Sequence, residues 1–397
     1  MESANLRSKD LVIKMVFSLL LFMVTYRLVL TYFETGFSDF PYHSQVAEGF
    51  HLSNLKAEIE SGNTYFMWSC LVSLLHRRGN VTLYGACAVI TALANAATLY
   101  IAMDYIGKKV PKAEYASRIY LCAGLLYVGP LFFPWLNADY YLGTWSPNTW
   151  HNPTNSMVRP FALLSVILIL EILEAEDAKI KTHLLLAAVL ALSVIAKPSF
   201  LQGIAPAMVL YVLFELAAAR KIRLRKYLLL ASAFIPAAGI MLFQLWLTFY
   251  SGNTVSEGVG FGFLTTLGRY TEHVGAALLA CTAFPLFVIV SAAAVQKKAV
   301  WRNPRIMLMI SYLIAGWSEM VFLYEKGERE RHANFTWGYM LAVFIAFVLS
   351  VIEFLDITGT DGKYREAVRK AGIVLFSCHF LLGIWYIGRM LQHGSIY

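Results

Sequence analysis

Apolar runs of membrane-spanning length recur along nearly the whole chain, and this constrains its fold more than any other feature. The first, "LVIKMVFSLLLFMVTYRLVLTYF" from Leu11 to Phe33, is followed by many of similar character. A helix needs about 20 apolar residues to cross the hydrocarbon core of a bilayer. The chain is 58% hydrophobic and 15% charged over 397 residues, and its mean hydropathy is +0.58. A soluble fold cannot bury that share of apolar surface. The chain therefore reads as an all-α, polytopic membrane protein. Its first run is too long for the apolar part of a signal peptide and has no small-x-small cleavage site, so it reads as a retained helix. The five cysteines, Cys70, Cys87, Cys122, Cys281 and Cys378, lie scattered in apolar segments without a CxxC pair. They read as small core residues rather than a disulfide framework or a zinc site.

The net charge of +8 sits in short connecting segments. That pattern follows membrane topology and gives no reason to expect a nucleic-acid partner. Lys and Arg mark cytoplasmic loops. The clusters are Arg7/Lys9/Lys14, Lys108/Lys109/Lys112/Arg118, Lys179/Lys181, Arg220/Lys221/Arg223/Arg225/Lys226, Lys297/Lys298/Arg302/Arg305 and Lys363/Arg365/Arg369/Lys370. Placing all of them on one side predicts spans at 12–33, 81–104, 119–134, 157–174, 184–197, 200–218, 227–248, 274–296, 306–324, 335–356 and 371–391. That makes about eleven helices in one membrane domain covering 1–397. The segment "TYFMWSCLVSLLHRRG" (Thr64 to Gly79) breaks this path if it spans, so it is expected to lie in the interface or re-enter. No internal repeat or soluble domain is visible. The segments with unusual polar chemistry, 34–80, 135–156, 197–203, 249–273 and 325–334, then all fall on the extracytoplasmic side of a plasma (inner) membrane.

Three of these segments carry candidate chemistry. In "SDFPYHSQVAEGFHLSNLKAEIESG", Val46, Phe50 and Leu52 or Leu55 fall near one helical face. His43, Gln45 and Glu48 fall elsewhere, as in an amphipathic interfacial helix. Asp39, just before it, reads either as a general base towards a hydroxyl or, like Ser38, as a helix cap. The stretch "FPWLNADYYLGTWSPNTWHNPTNSMVRPF" (Phe133 to Phe161) crowds Tyr141, Trp145, Trp150, His151 and Asn152 together. Aromatic faces beside amide and imidazole groups suit a sugar, although an interfacial aromatic belt uses the same Trp and Tyr. Arg159, at membrane level beyond it, either meets a phosphate or snorkels to the interface.

"EKGERERHANFTWGY" (Glu325 to Tyr339) opposes the usual charge bias. It offers Arg329, Arg331 and His332 for a phosphate and its sugar, or forms a self-neutralising loop. Lys197, in the "AKPSF" break between two apolar runs, is an ionisable group at membrane depth and hence a candidate by position. The loop "YSGNTVSEGVGFGFL", with Glu257, reads as a flap without strands. No HExxH, GxSxG, Walker A or DxD motif is present, so a metal or other cofactor has no support in the sequence, although a divalent cation shared by Asp39 and another acid stays open.

A retained first helix, an acid in the loop that follows it ("SDFPYH"), juxtamembrane helices ("EGFHLSNLKAEIESGNTYF") and about ten further spans resemble the GT-C fold of membrane glycosyltransferases. The resemblance rests chiefly on the first 80 or so residues; many members of that group carry a paired acidic motif where this chain has Asp39 alone. It implies a polyprenyl-phosphate-linked sugar donor and a glycan, lipid or protein acceptor. Asp39 would be the base of an inverting displacement. Arg331, Arg329, Arg159 and Lys197, with His43, would contact the donor phosphate. His151, Asn152, Trp150, Trp145, Tyr141 and His332 would contact sugar or acceptor. A transporter or flippase for lipid-linked sugars or another small solute is the main alternative. A polymerase or ligase would be expected to carry a larger late outer loop, and a plain structural protein would not explain why the polar loops share one side.

Overall fold

The computed structural model describes residues 2–137, 139–219, 223–250, 258–359 and 363–394. Arg220, Lys221 and Glu257 therefore lie outside the described residues. Nearly all ordered structure is helical, and nine helices among the described residues are long and apolar enough to cross a membrane. They are α1 (Glu2–Thr35), α5 (Leu83–Lys109), α7 (Pro153–Glu174), α9 (Ser199–Ala219), α10 (Leu224–Tyr250), α11 (Val274–Gln296), α12 (Pro304–Phe322), α13 (Thr336–Thr358) and α14 (Lys363–His393). A tenth apolar helix, α8 (Ile180–Ala196), is shorter.

The hydrophobic pattern explains the layering. In α13, "TWGYMLAVFIAFVLSVIEFLDIT" is apolar all round, as a helix enclosed by others must be; 94% of its central window is buried. It touches α5, α7, α9, α11, α12 and α14, whereas α1 and α10 bury only 28% and 22% of theirs. Leu19, Met23, Leu228, Ile235 and Leu242 point outward from those two. They form the apolar outer surface that a bilayer solvates.

The helix expected at 119–134 is a finding in its own right. Only α6 (Tyr115–Gly124) is helical there, and the chain then runs without regular structure through the bundle to residue 152. Irregular backbone at membrane depth survives only where the protein satisfies its polar groups. Here Gly129 N donates to His379 O at 2.9 Å, and His379 Nδ1 lies 2.7 Å from Gly129 O. Asn148 Nδ2 donates to the carbonyls of Leu125 and Val128, and Leu131 N to that of Ala280. An apolar run ending in Gly129-Pro130 looks like a span, but its bonding partners lie far away in the sequence.

Smaller corrections concern the polar loops. The single amphipathic helix expected after Pro41 is two short ones, α2 (Phe40–Gly49) and α3 (Leu55–Glu60), with a bend at Phe50–His51. His43, expected off the apolar face, is buried, because α2 turns Phe40, His43, Ser44 and Ala47 onto Trp68 and its neighbours. Of Leu52 and Leu55, the alternatives for that face, Leu52 stands exposed and Leu55 is half-buried. Segment 64–79 contains α4 (Met67–Gly79), whose 13 residues reach only about 20 Å. Its Arg77 is held by His51 and the Glu48 carbonyl. The loop expected without strands forms a short antiparallel ribbon, in which β1 (Val259–Phe261) pairs with β2 (Leu323–Glu325).

The basic clusters gather at one end of the bundle. Lys14 and Lys108 both meet Asp104, Lys109 and Arg305 meet Glu174, and Arg369 meets Glu114. Asp39, Asn152 and Lys197 stand at the other end, a length of α7 away, or about 33 Å for its 22 residues.

Candidate functional site

Asp39 takes the N-cap position of α2, but its side chain makes no cap. The Phe40 N–H turns instead to Ser38 Oγ at 3.3 Å, and Pro41 in the first turn has no N–H to satisfy. The carboxylate is left free for another partner. Asn152 Nδ2 donates to Asp39 Oδ2 at 2.6 Å, and Asp39 N donates to the His151 carbonyl at 3.1 Å. A hydrogen bond to a charged group contributes about 1.5–3 kcal/mol. Asp39 is therefore held in one orientation by the "HNP" segment.

Asn152 works from both ends of its amide. Its Oδ1 caps α7 by accepting from Asn155 N at 2.8 Å, with Pro153 at the first helical position. The same oxygen accepts from Thr154 Oγ1 and, at 3.1 Å, from Lys197 Nζ. The Asn-Pro pair is thus a helix start whose cap links the acid to the lysine. Lys197 is extended, as a residue before proline must be, and this breaks α8 from α9. Its ammonium lies 4.1 Å from the centre of the Trp337 ring, at the start of α13. Such a contact is worth about 2 kcal/mol when desolvated. Burial pushes Lys197 down to about 7, against the pull of Asp39.

Two histidines complete the cluster. His151 lies between Tyr141, with ring centres 3.9 Å apart, and Trp337 at 5.6 Å. Its Nδ1 is enclosed and reaches no protein partner among the described residues. His43 packs edge-on to Trp68 and Tyr42. Burial lowers both imidazoles, His43 to about 4, although Asp39 pulls each upward. Both are neutral rings at neutral pH, and Lys197 is the member of the cluster that titrates there.

Of the residues singled out in the sequence, Asp39, His43, Tyr141, His151, Asn152 and Lys197 come together. Arg329 pairs with Glu325 at 3.6 Å, and both act electrostatically on Tyr65, as does Asp39. Arg331 and His332 are exposed. Arg331 lines an open cavity of about 510 Å³ with Arg269, Gly327 and Glu330, and there Arg269 is already paired with Glu330 at 2.6 Å. Trp145 and Trp150 are core residues against Tyr339 and Tyr127, and Arg159 is wholly enclosed. Their placement gives them no open face towards a sugar or headgroup.

Three residues of this region escaped the sequence reading. Trp337 carries both Lys197 and His151, and nothing in "FTWGY" distinguishes it from an interfacial tryptophan. Tyr65, whose phenol is raised by burial, is in electrostatic reach of both Arg329 and Asp39. Glu319, in "AGWSEMVF", has a visible signal as an acid inside an apolar helix. Its Oε2 is enclosed without a protein partner, and a Cβ added at Gly338 would sit 2.6 Å from it. Among the described residues, no three His, Cys, Asp or Glu side chains converge as metal ligands. Compared with family models, curated proteins and solved structures, the chain matches none.

Proposed function

We propose that this chain is a membrane glycosyltransferase of the GT-C type. It would move a sugar from a polyprenyl-phosphate donor to an acceptor hydroxyl at the membrane face that carries Asp39, the extracytoplasmic side of a plasma membrane. The observation that carries this reading is the Asp39 carboxylate. It is released from capping, oriented by Asn152 and placed with a lysine on the same amide.

In this reading the acceptor hydroxyl gives its proton to Asp39 as its oxygen bonds to the anomeric carbon. The bond from that carbon to the phosphate oxygen breaks on the opposite face. The electron pair leaves on the lipid phosphate, and the anomeric configuration inverts. Lys197, and Arg329 if the donor phosphate reaches it, stabilises the departing charge. His151 and Asn152 hold the acceptor edge, and Tyr141 and Trp337 offer it aromatic surface. Asp39 then releases its proton to water.

Asp39→Asn preserves shape and the contact with Asn152 while removing the base. Transfer from a radiolabelled polyprenyl-phosphate sugar in isolated membranes should fall about 10²–10⁴-fold, the usual worth of general base catalysis. Undiminished transfer by a folded Asp39→Asn variant would remove the proposal.

One observation favours the transporter reading instead. Two interrupted elements, the α6 break and the Lys197–Pro198 break, both feed the same polar cluster, as discontinuous helices do in transporters. Lipid-linked sugar crossing vesicles that contain the Asp39→Asn variant at the wild-type rate, with no acceptor modified, would select it.

A further inference from the structure

One buried cation has no counter-charge among the described residues. Arg159 lies within the spanning helix α7 and is 0% exposed. Its Nη2 donates to Thr149 Oγ1 at 3.2 Å, and its guanidinium carbon lies 5.5 Å from the centre of the Phe344 ring. Neither partner is an anion. Its Nε and Nη1 reach no protein acceptor among the described residues. Ser156, three residues earlier on the same helical face, is also 0% exposed, and its hydroxyl has no protein partner there either. Other enclosed cations are compensated: buried Lys197 faces Asp39, buried Arg118 meets Asp10 at 3.2 Å, and half-buried Arg305 is bound by Glu353.

A guanidinium cannot escape this by giving up its proton. Enclosing an ion costs several kcal/mol in real proteins, whereas a cation–π contact returns about 2 kcal/mol. One neutral hydroxyl does not close that gap, and a charge inside a membrane domain calls for a counter-charge. We propose that Arg159 and Ser156 hold a small monovalent anion, a halide, as a structural counter-ion. The enclosure decides the size of the ligand. A lipid phosphate drags a headgroup and tail that cannot enter a site with no exposure, whereas a halide needs room for one atom.

The anion also bears on the site above it. Arg159 shares Thr149 Oγ1 with Asn155 Nδ2, and Asn155 N is bound by the Asn152 cap that orients Asp39. Arg159 therefore stands at the base of that chain of bonds. The inference stands whichever reaction the Asp39 cluster performs.

The test uses the full chain purified in detergent, with gluconate exchanged for chloride or bromide at constant ionic strength. The melting temperature should rise with halide and saturate. Arg159→Met should melt at the same temperature in either salt, while Arg159→Lys keeps the response with half-saturation raised about tenfold. A bromide map of the wild type should place anomalous density beside Arg159, which decides the matter even if Arg159→Met does not fold. A wild-type melting temperature indifferent to halide would overturn the proposal in favour of water. A parallel halide response in Arg159→Met would overturn it as non-specific, and a rise produced only by polyprenyl phosphate would overturn it in favour of the lipid headgroup.

Discussion

Lys197 is the residue of the cluster whose charge changes near neutral pH. Burial holds it near 7 in the folded protein, far below an ordinary lysine, so it is cationic below that pH and neutral above it. The two histidines of the cluster are lowered, and so do not titrate in the window above 7. If Lys197 receives the donor phosphate, affinity for a polyprenyl-phosphate sugar should fall as pH rises through and above about 7. The fall is at most about tenfold per pH unit. The bound phosphate favours the ammonium, so the midpoint in the complex should lie higher than in the free protein. A phosphodiester donor is the right probe because its own charge is constant across the range. Binding measured from pH 6 to 9 should flatten in Lys197→Arg, which keeps its charge throughout, and should be weak at every pH in Lys197→Met. A wild-type profile as flat as that of Lys197→Arg would show that Lys197 does not meet the phosphate.

The elements that serve the site are the two that depart from regular helices, and they were the hardest to read. Spans such as 274–296 and 335–356 were legible because a helix carries its own hydrogen bonds, so an apolar run of the right length suffices. The 125–152 segment was not, since His379, Asn148 and Ala280 satisfy its backbone from other parts of the chain. Likewise, Asp39, Asn152 and Lys197 were each visible as candidates, but their meeting spans more than a hundred residues of sequence and no local pattern encodes it. The Asn-Pro cap was the one local clue. The irregular segment also depends on two glycines in contact. A Cβ at Gly383 in α14 would lie 1.6 Å from the Tyr127 carbonyl oxygen, an overlap with backbone that nothing can relieve by turning a side chain. Gly383→Ala should therefore lower the yield of folded protein and its melting temperature sharply. Gly388→Ala on the same helix meets nothing within 4 Å and should be neutral, or more stable by up to about 1 kcal/mol. Equal melting temperatures for the two variants would mean that the 125–131 backbone does not pack there.

Across the whole molecule, the two ends of the bundle differ in chemistry. At the end away from Asp39, Arg305 binds Glu353, lies 3.6 Å from Glu174 and 3.8 Å from Asp356, and so ties α7, α12 and α13 together. Lys109 adds α5 through Glu174, and Asn303 donates to Glu353 at 2.8 Å. Glu353 is 0% exposed, so Arg305→Met strands its carboxylate; breaking such a pair costs about 3–5 kcal/mol. Arg305→Met/Glu353→Gln removes both charges and should recover most of the lost melting temperature. The double variant also separates the two functional readings. A glycosyltransferase uses only the Asp39 end, so transfer per folded molecule should equal that of the wild type. A transporter must open the Arg305 end in each cycle, so loosening that clamp should change the flux of lipid-linked sugar across vesicles. Unchanged transfer with no flux would place all the chemistry at Asp39, and altered flux without transfer would make the Arg305 network an inner gate.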